Sequence, residues 1–294
     1  GGENSAAIRG QYFDGIIIDE TQNISPDLFD TILRPCLADR HGFAIFIGTP
    51  MGRNWFYDLH EKAKHTKDWF TCVFKASQTK IIPSEELKAA KSTMSAESYA
   101  QEFECSFQAG ISGAYFGKIM EDLDQKNRLT NFEIDEDLEV ETWWDLGMND
   151  STVITFAQRF GDEIRIIDCY ENSGEGLEHY LNVIDDKPYK YSKHIAPHDI
   201  RVREIGTNKS RWETAKELGL EFDIAPKLSI EDGIEQVRRM LPNCYFHKNN
   251  CKKLIEALKS YCKRWDEKNN CFRNKPLHNW SSHFCDSIRY GAIV

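Results

Sequence analysis

Hydrophobic positions along this chain fall into two rhythms: short unbroken apolar runs bounded by acids or glycine, which read as buried strands, and positions recurring every three to four residues, which read as helices. YFDGIIIDE (12–20) and FAIFIGTP (43–50) are runs of the first kind. The first delivers Asp19 and Glu20 at the carboxyl end of a parallel strand buried on both faces, and the second breaks at Gly48, Thr49 and Pro50. Between them, Leu28, Phe29, Ile32 and Leu33 keep helical spacing after a Ser25-Pro26 start signal. Strand, helix, strand, turn is the rhythm of an α/β domain. Residues 84–107 predict two short helices, the second opened by Ser95 and carrying Tyr99, Phe103 and Phe107 as an aromatic packing stripe.

The pattern loosens near Gly110 and Gly113, and an acidic stretch runs on to Glu141. This divides the chain into a first domain over 1–110, an acidic linker over 111–140 and a second domain over 141–294. The second domain opens with three strands, 142–147, 151–158 and 163–171, the last two joined at a Phe160-Gly161-Asp162 turn. A helix over 176–185 leads to a strand around 193–198. Helices follow at about 210–218, 229–240 and 249–263, then a hairpin over 264–275 around Asn269-Asn270 and a final helix from 281.

Length and composition narrow the class without changing this outline. At 294 residues and 40% hydrophobic, the chain can bury two ordinary cores. Neither a signal peptide nor an apolar run long enough to span a membrane is present, so a cytoplasmic protein is expected. The first Met is Met51, inside a patterned region, and the chain is therefore read as a fragment of a longer product. Nine scattered cysteines with no C-x-x-C spacing argue for reduced thiols over a disulfide framework or a zinc ribbon.

The formal charge of −10 is local: residues 121–141 hold nine acids against Lys126 and Arg128, a net of −7. Basic segments lie elsewhere. Arg201, Arg203, Lys209 and Arg211 follow one of the acids singled out below, and Lys248, Lys252, Lys253, Lys259, Lys263 and Arg264 recur on a helix and its exit, either as a solvated face or as phosphate contacts.

Three acids sit in the second domain at positions that the element order brings out: Asp145 at the end of the first strand, Asp199 ending the strand KHIAPHD, and Asp286 in the last helix. A single Asp after a strand is commonly a turn former or cap. Their combination in this order of elements is that of ribonuclease-H-like nucleases. Carboxylates gathered without a cation repel one another, and bound divalent ions reverse that penalty. Mg²⁺ or Mn²⁺ suits an all-oxygen site, and two such ions can support in-line attack on a phosphodiester. His198 and His283 neighbour two of the acids and are candidates for orienting them. Asp150 reads as a cap of a strand connection, and Asp168 as the partner of a neighbouring strand or basic group. In the first domain IIIDE matches a Walker B strand, in which Asp19 holds the nucleotide's Mg²⁺ and Glu20 polarises water, while Thr49 is placed to sense the γ-phosphate. No G-x-x-x-x-G-K-[ST] loop occurs in the 294 residues, so ATP hydrolysis is not expected of this chain alone.

Taken together, YFDGIIIDE, FAIFIGTPMGRNWFYDL, FECSF, WWDLGMNDST, the PHD of 197–199 with VREIGTNKSR, and HNWSSHFCDSIRY make the chain resemble the large terminase subunit of tailed phages and prophages. The resemblance implies an α/β fold: part of a P-loop-type packaging ATPase domain followed by a ribonuclease-H-like mixed-sheet nuclease domain. It implies an endonuclease that cuts concatemeric viral DNA with two Mg²⁺ or Mn²⁺ ions held by Asp145, Asp199 and Asp286. ATP with Mg²⁺ would be used only by a full-length protein. Arg201, Arg203, Lys209 and Arg211 would hold the DNA backbone, with Gly206 freeing their loop. Implied partners are double-stranded DNA, a small terminase subunit and a portal protein, in the host bacterial cytoplasm, with the fragment itself monomeric. A resolvase or transposase of the same nuclease class, a helicase and a non-catalytic assembly module are the alternatives. The first does not explain IIIDE with GTP, and the helicase would need a second nucleotide-binding lobe where the acids stand.

Overall fold

A computed structural model of the chain describes residues 8–25, 27–52, 54–107, 113–147, 151–203, 209–266 and 271–294. They form two compact units: residues 1–117 with 262–272 and 277–280, and residues 118–261 with 273–276 and 281–294. Pro26, Gly110, Asp150, Gly206 and the turn at Asn269-Asn270 lie outside the described residues.

In the first unit both apolar runs are strands, β1 (Gly15–Ile18) and β2 (Phe43–Phe46), paired in parallel from Gly15 opposite Phe43 to Ile18 opposite Phe46. The Phe43 ring lies over Gly15 across the pair, its outer end 2.4 Å from where a Cβ would stand. The expected helix between the strands is a wide turn over Phe29–Leu33 running into α1 (Arg34–Ala38). Pro35 has no N–H to continue the regular ladder, and the Arg34 N–H reaches back five residues to the Phe29 carbonyl. Ile18, Leu28, Ile32 and Leu33 bury one face of the strand pair. Ile17 and Phe43 on the other face are 64% and 59% exposed, so among the described residues the two-sided burial expected from the pattern is met on one side.

Helices α2 (Trp55–Ala63), α3 (Ala76–Thr79), α4 (Ser84–Thr93) and α5 (Ala96–Glu102) follow. Ser95 caps α5 as its position suggests, accepting the Ser98 N–H at 3.1 Å. The aromatic stripe is divided by the end of that helix. Tyr99 and Phe103 stack on each other, and Phe107 lies beyond the helix against His60 of α2.

The second unit begins where a linker is expected. Its α6 (Gly117–Gln125) buries Met120 and Leu123 and turns Glu121, Asp122 and Asp124 outward, and β3 (Leu129–Thr130) follows. The first three acids of that stretch, Glu121, Asp122 and Asp124, are thus the outer face of a helix.

The remaining strands of the sheet are β4 (Val140–Asp145), β5 (Ser151–Phe160), β6 (Glu163–Ser173), β7 (Tyr191–Ala196), β8 (Phe222–Ile224) and β9 (Cys244–His247). They form one mixed sheet ordered β3-β9-β6-β5-β4-β7-β8. The first three long strands pair antiparallel, and β7 joins the free edge of β4 in parallel. The four longest strands fall where the apolar pattern puts them. β3, β8 and β9, of two to four residues, are too short to have shown a period. Helices α7 (Leu177–Asp185), α8 (Arg211–Glu217), α9 (Ile230–Met240), α10 (Lys252–Ser260) and α11 (Trp280–Ala292) complete the fold, and β10 (Lys263–Asp266) and β11 (Cys271–Pro276), between the last two in sequence, form a separate two-stranded sheet.

Alternation along β4 sets the site. Val140 and Trp144 enter the core formed with Ile154, Phe156, Tyr180, Ile184 and Ala215. Glu141, Trp143 and Asp145 therefore face the opposite side of the sheet. There Ser287 of α11 meets Thr155 Oγ1 at 2.8 Å, and Gly291 lies so close to Trp143 that a Cβ would come within 1.9 Å of the indole. Glu141 is neutralised by Arg159 at 2.9 Å and Lys193 at 3.3 Å and accepts the Trp143 indole N–H at 3.0 Å. Gly291→Ala is expected to overpack this contact and cost about 1–3 kcal/mol, measurable as a lowered chemical-denaturation midpoint with an unchanged slope.

Candidate active site

The carboxyl end of β4, the turn after β7 and the middle of α11 supply the three acids. Asp145 is the last residue of β4, and its Oδ2 lies 2.9 Å from Nδ1 of His283. Asp286 is three residues beyond His283 on α11, and Arg289 three beyond that, so the three share one helical face. Nη2 of Arg289 is 3.1 Å from Oδ1 of Asp286. The side chains of Asp145 and His283 are each 14% exposed, that of Asp286 27% and that of Arg289 12%.

Electrostatics makes this cluster costly for an apo protein. Burial raises the Asp145 carboxyl, and the Asp199 charge adds to that against the opposing pull of His283 and Arg289. Burial also raises Asp286, Arg289 draws it back, and the Asp145 charge pushes it up again, leaving it at about 7. The Tyr290 hydroxyl, buried beside them, is pushed upward as well, first by burial and then by the charge of Asp145, with Asp286 and Asp199 contributing.

Asp199 is not at the end of its strand but in a single tight turn, His198–Arg201, beyond β7. Because β7 is the parallel neighbour of β4, that turn leaves the sheet at the same edge as Asp145. Asp199 acts on Asp145 and Tyr290 through its charge. Among the described residues, no three His, Cys, Asp or Glu side chains are gathered closely enough to hold an ion as they stand.

The basic segment is partly committed to the fold. Arg211 donates to the carbonyl of Leu146, the residue after Asp145, at 2.8 Å. Lys209 pairs with Glu217 at 2.7 Å, and the Arg201 guanidinium lies over the Trp212 ring. Arg203 bridges to Ser210, whose side chain and Glu213 close a capping box at the start of α8. Of the second basic group, Lys253 pairs with Glu171 and Lys259 with Glu256. Asp168 pairs with Lys187 and accepts from Tyr189, the structural role its position suggests. Sequence reasoning missed Arg289 and Tyr290. Their spacing from Asp286 was legible, but nothing in the spacing says that the helix turns them onto the acids.

In the first unit, Asp19 and Glu20 follow β1, Glu20 in a left-handed conformation with φ 49°. Its Oε2 accepts from Gln22 Nε2 at 2.8 Å. The GTP turn lies against the same bend: a Cβ on Gly48 would meet Gln22 Oε1 at 2.2 Å and Thr21 N at 3.2 Å. The two short motifs of this unit are thus brought together.

Comparison with known proteins finds no matching family model. The terminase large subunit of Escherichia phage T5 is 26% identical over 297 residues, covering 96% of this chain and 65% of that protein. The terminase large subunit of Thermus phage G20c is 39% identical over 52 residues, 18% of this chain and 11% of its own length. Among solved structures, the large terminase of a thermophilic bacteriophage in complex with ADP aligns over 98% of this chain and 71% of its own, with 17% identity and a TM-score of 0.46. The chain therefore spans just under two thirds of the T5 relative's length.

Proposed function

The chain is a homologue of phage terminase large subunits, and we propose that its second unit is a metal-dependent DNA endonuclease of a packaging enzyme. The observation that carries this reading is the convergence of two part-buried acids, Asp145 at the carboxyl end of β4 and Asp286 on α11, with the Asp145 charge pushing the Asp286 carboxyl upward. Carboxyls raised by burial and by neighbouring negative charge, Asp199 on Asp145 and Asp145 on Asp286, fit a site completed by a cation, and their hard oxygen donors suit Mg²⁺ or Mn²⁺. Asp145, Asp286 and Asp199 would hold the ions, which would neutralise the acids and the scissile phosphodiester. The chain's own groups orient and bind. His283 meets Asp145 through Nδ1 and would orient its carboxylate. Arg211 ties the backbone after Asp145, and Arg201, Arg203 and Lys209 would grip phosphates.

In the first unit, Asp19, Glu20 and Thr49 would belong to an ATP site with Mg²⁺, a reading supported by the packing of the GTP turn against the bend after β1. Without a phosphate-cradling loop, ATP turnover is not expected of these residues alone. Double-stranded DNA is the proposed substrate, with a small terminase subunit and a portal as partners in the host cytoplasm. No helix among the described residues is long and apolar enough to cross a membrane.

The test is nicking of supercoiled plasmid by the whole chain. Cleavage that requires Mn²⁺ or Mg²⁺ and stops with EDTA is expected, and a wild-type chain inert in both metals overturns the reading. Replacing Arg201 and Arg203 together by alanine should weaken DNA binding equally across sequences. It should also flatten the dependence of log K on log salt by about one per lost contact, read by fluorescence anisotropy.

A further inference from the structure

Helix α9 carries a glycine, Gly233, three residues into its eleven. A glycine inside a helix costs about 0.5–1 kcal/mol relative to alanine, so its presence calls for a steric reason. That reason is Arg289. A Cβ on Gly233 would stand 2.4 Å from Cδ and 2.6 Å from Cγ of Arg289, the middle of its stem and not its mobile tip. The stem therefore runs through the space that any other residue of α9 would fill. From that seat the guanidinium reaches Oδ1 of Asp286 at 3.1 Å, with the Tyr290 ring 5.3 Å away.

We propose that Gly233 and Arg289 form a seat that sets the position of Asp286, making Arg289 a positioning residue for the carboxylate site and not a contact to DNA. Its 12% side-chain exposure leaves little of it for phosphate. One Asp286 oxygen is taken up by the guanidinium, which fixes the carboxylate's rotation and leaves its second oxygen for a cation. The inference rests on the metal-site reading above, but the seat itself does not.

The sign of one measurement separates positioning from simple charge. Removing a cation from beside a metal site should tighten metal binding if charge alone matters. If Arg289 positions Asp286, Arg289→Ala should instead weaken Mn²⁺ binding by roughly tenfold, the usual scale for groups that orient ligands, as read by calorimetric titration of the intact chain. Arg289→Lys, which keeps the charge but not the reach, should also weaken it. Gly233→Ala should weaken Mn²⁺ binding and lower the melting temperature, and both effects should vanish in an Arg289→Ala background, where the stem is gone.

Unchanged or tighter Mn²⁺ binding in Arg289→Ala overturns the positioning role, and additive effects of the two substitutions overturn the seat. A wild-type chain that binds no Mn²⁺ overturns the metal-site reading and the positioning role with it. The melting-temperature cycle still decides the seat in that case.

Discussion

Asp145→Asn is expected to abolish cleavage and, in the same protein, to raise the melting temperature of the metal-free form at pH 8. The two effects have one cause. Burial and the neighbouring acids make the ionised Asp145 carboxylate unfavourable in the fold. Asparagine has nearly the same shape, carries no charge and can still accept from Nδ1 of His283. Removing that unfavourable charge should raise the melting point, by roughly 2–4 °C for each kcal/mol relieved in a domain this size. Cleavage should fall by more than about 100-fold, since loss of a ligand exceeds the loss of a group that merely orients one. A variant that still nicks plasmid, or one whose metal-free form melts below wild type at pH 8, would count against Asp145 as a strained functional acid.

The second large effect is a pH dependence that a divalent ion should erase. The folded value of Asp286 is about 7, above its value of about 3.9 in an unfolded chain. Its contribution to stability is therefore complete below about pH 4 and is lost as the pH rises through about 7, because the unfolded chain ionises more readily than the fold. Metal-free protein should melt at progressively lower temperature from pH 5 to pH 8. Mn²⁺ binds the ionised form, and at a hundred times its dissociation constant would return about 2.7 kcal/mol. The Mn²⁺-induced rise in melting temperature should accordingly be small at pH 5 and large at pH 8. A rise of equal size at both would mean that the ion binds elsewhere. Scanning calorimetry with EDTA and with Mn²⁺ makes the comparison.

How much of this was legible in the sequence depended on the length of each element and on whether its contacts were local. β4, β5, β6 and β7 each carry at least six residues of unambiguous pattern, and with them came Asp145 at a strand end. His283 and Asp286 were readable as helical neighbours. α6 was hidden because its composition is acidic, although Met120 and Leu123 keep a helical interval inside it. Periodicity was the better guide there than charge. Gly233 and Gly291 could not be understood from the sequence at all. What each accommodates, the Arg289 stem and the Trp143 ring, is separated from it by 56 and 148 residues, and only packing brings the partners together.

The place of β4 within its sheet has one last consequence. It is paired on both edges, to β5 and to β7, and covered on both faces, with Trp144 in one core and Trp143 against the last helix. A strand so enclosed opens only when the domain as a whole opens, so its amide protons belong to the slowest-exchanging class. In the proposed site Asp145 would thereby be a fixed jaw, and Asp199, one turn past the end of a strand, would be the adjustable one.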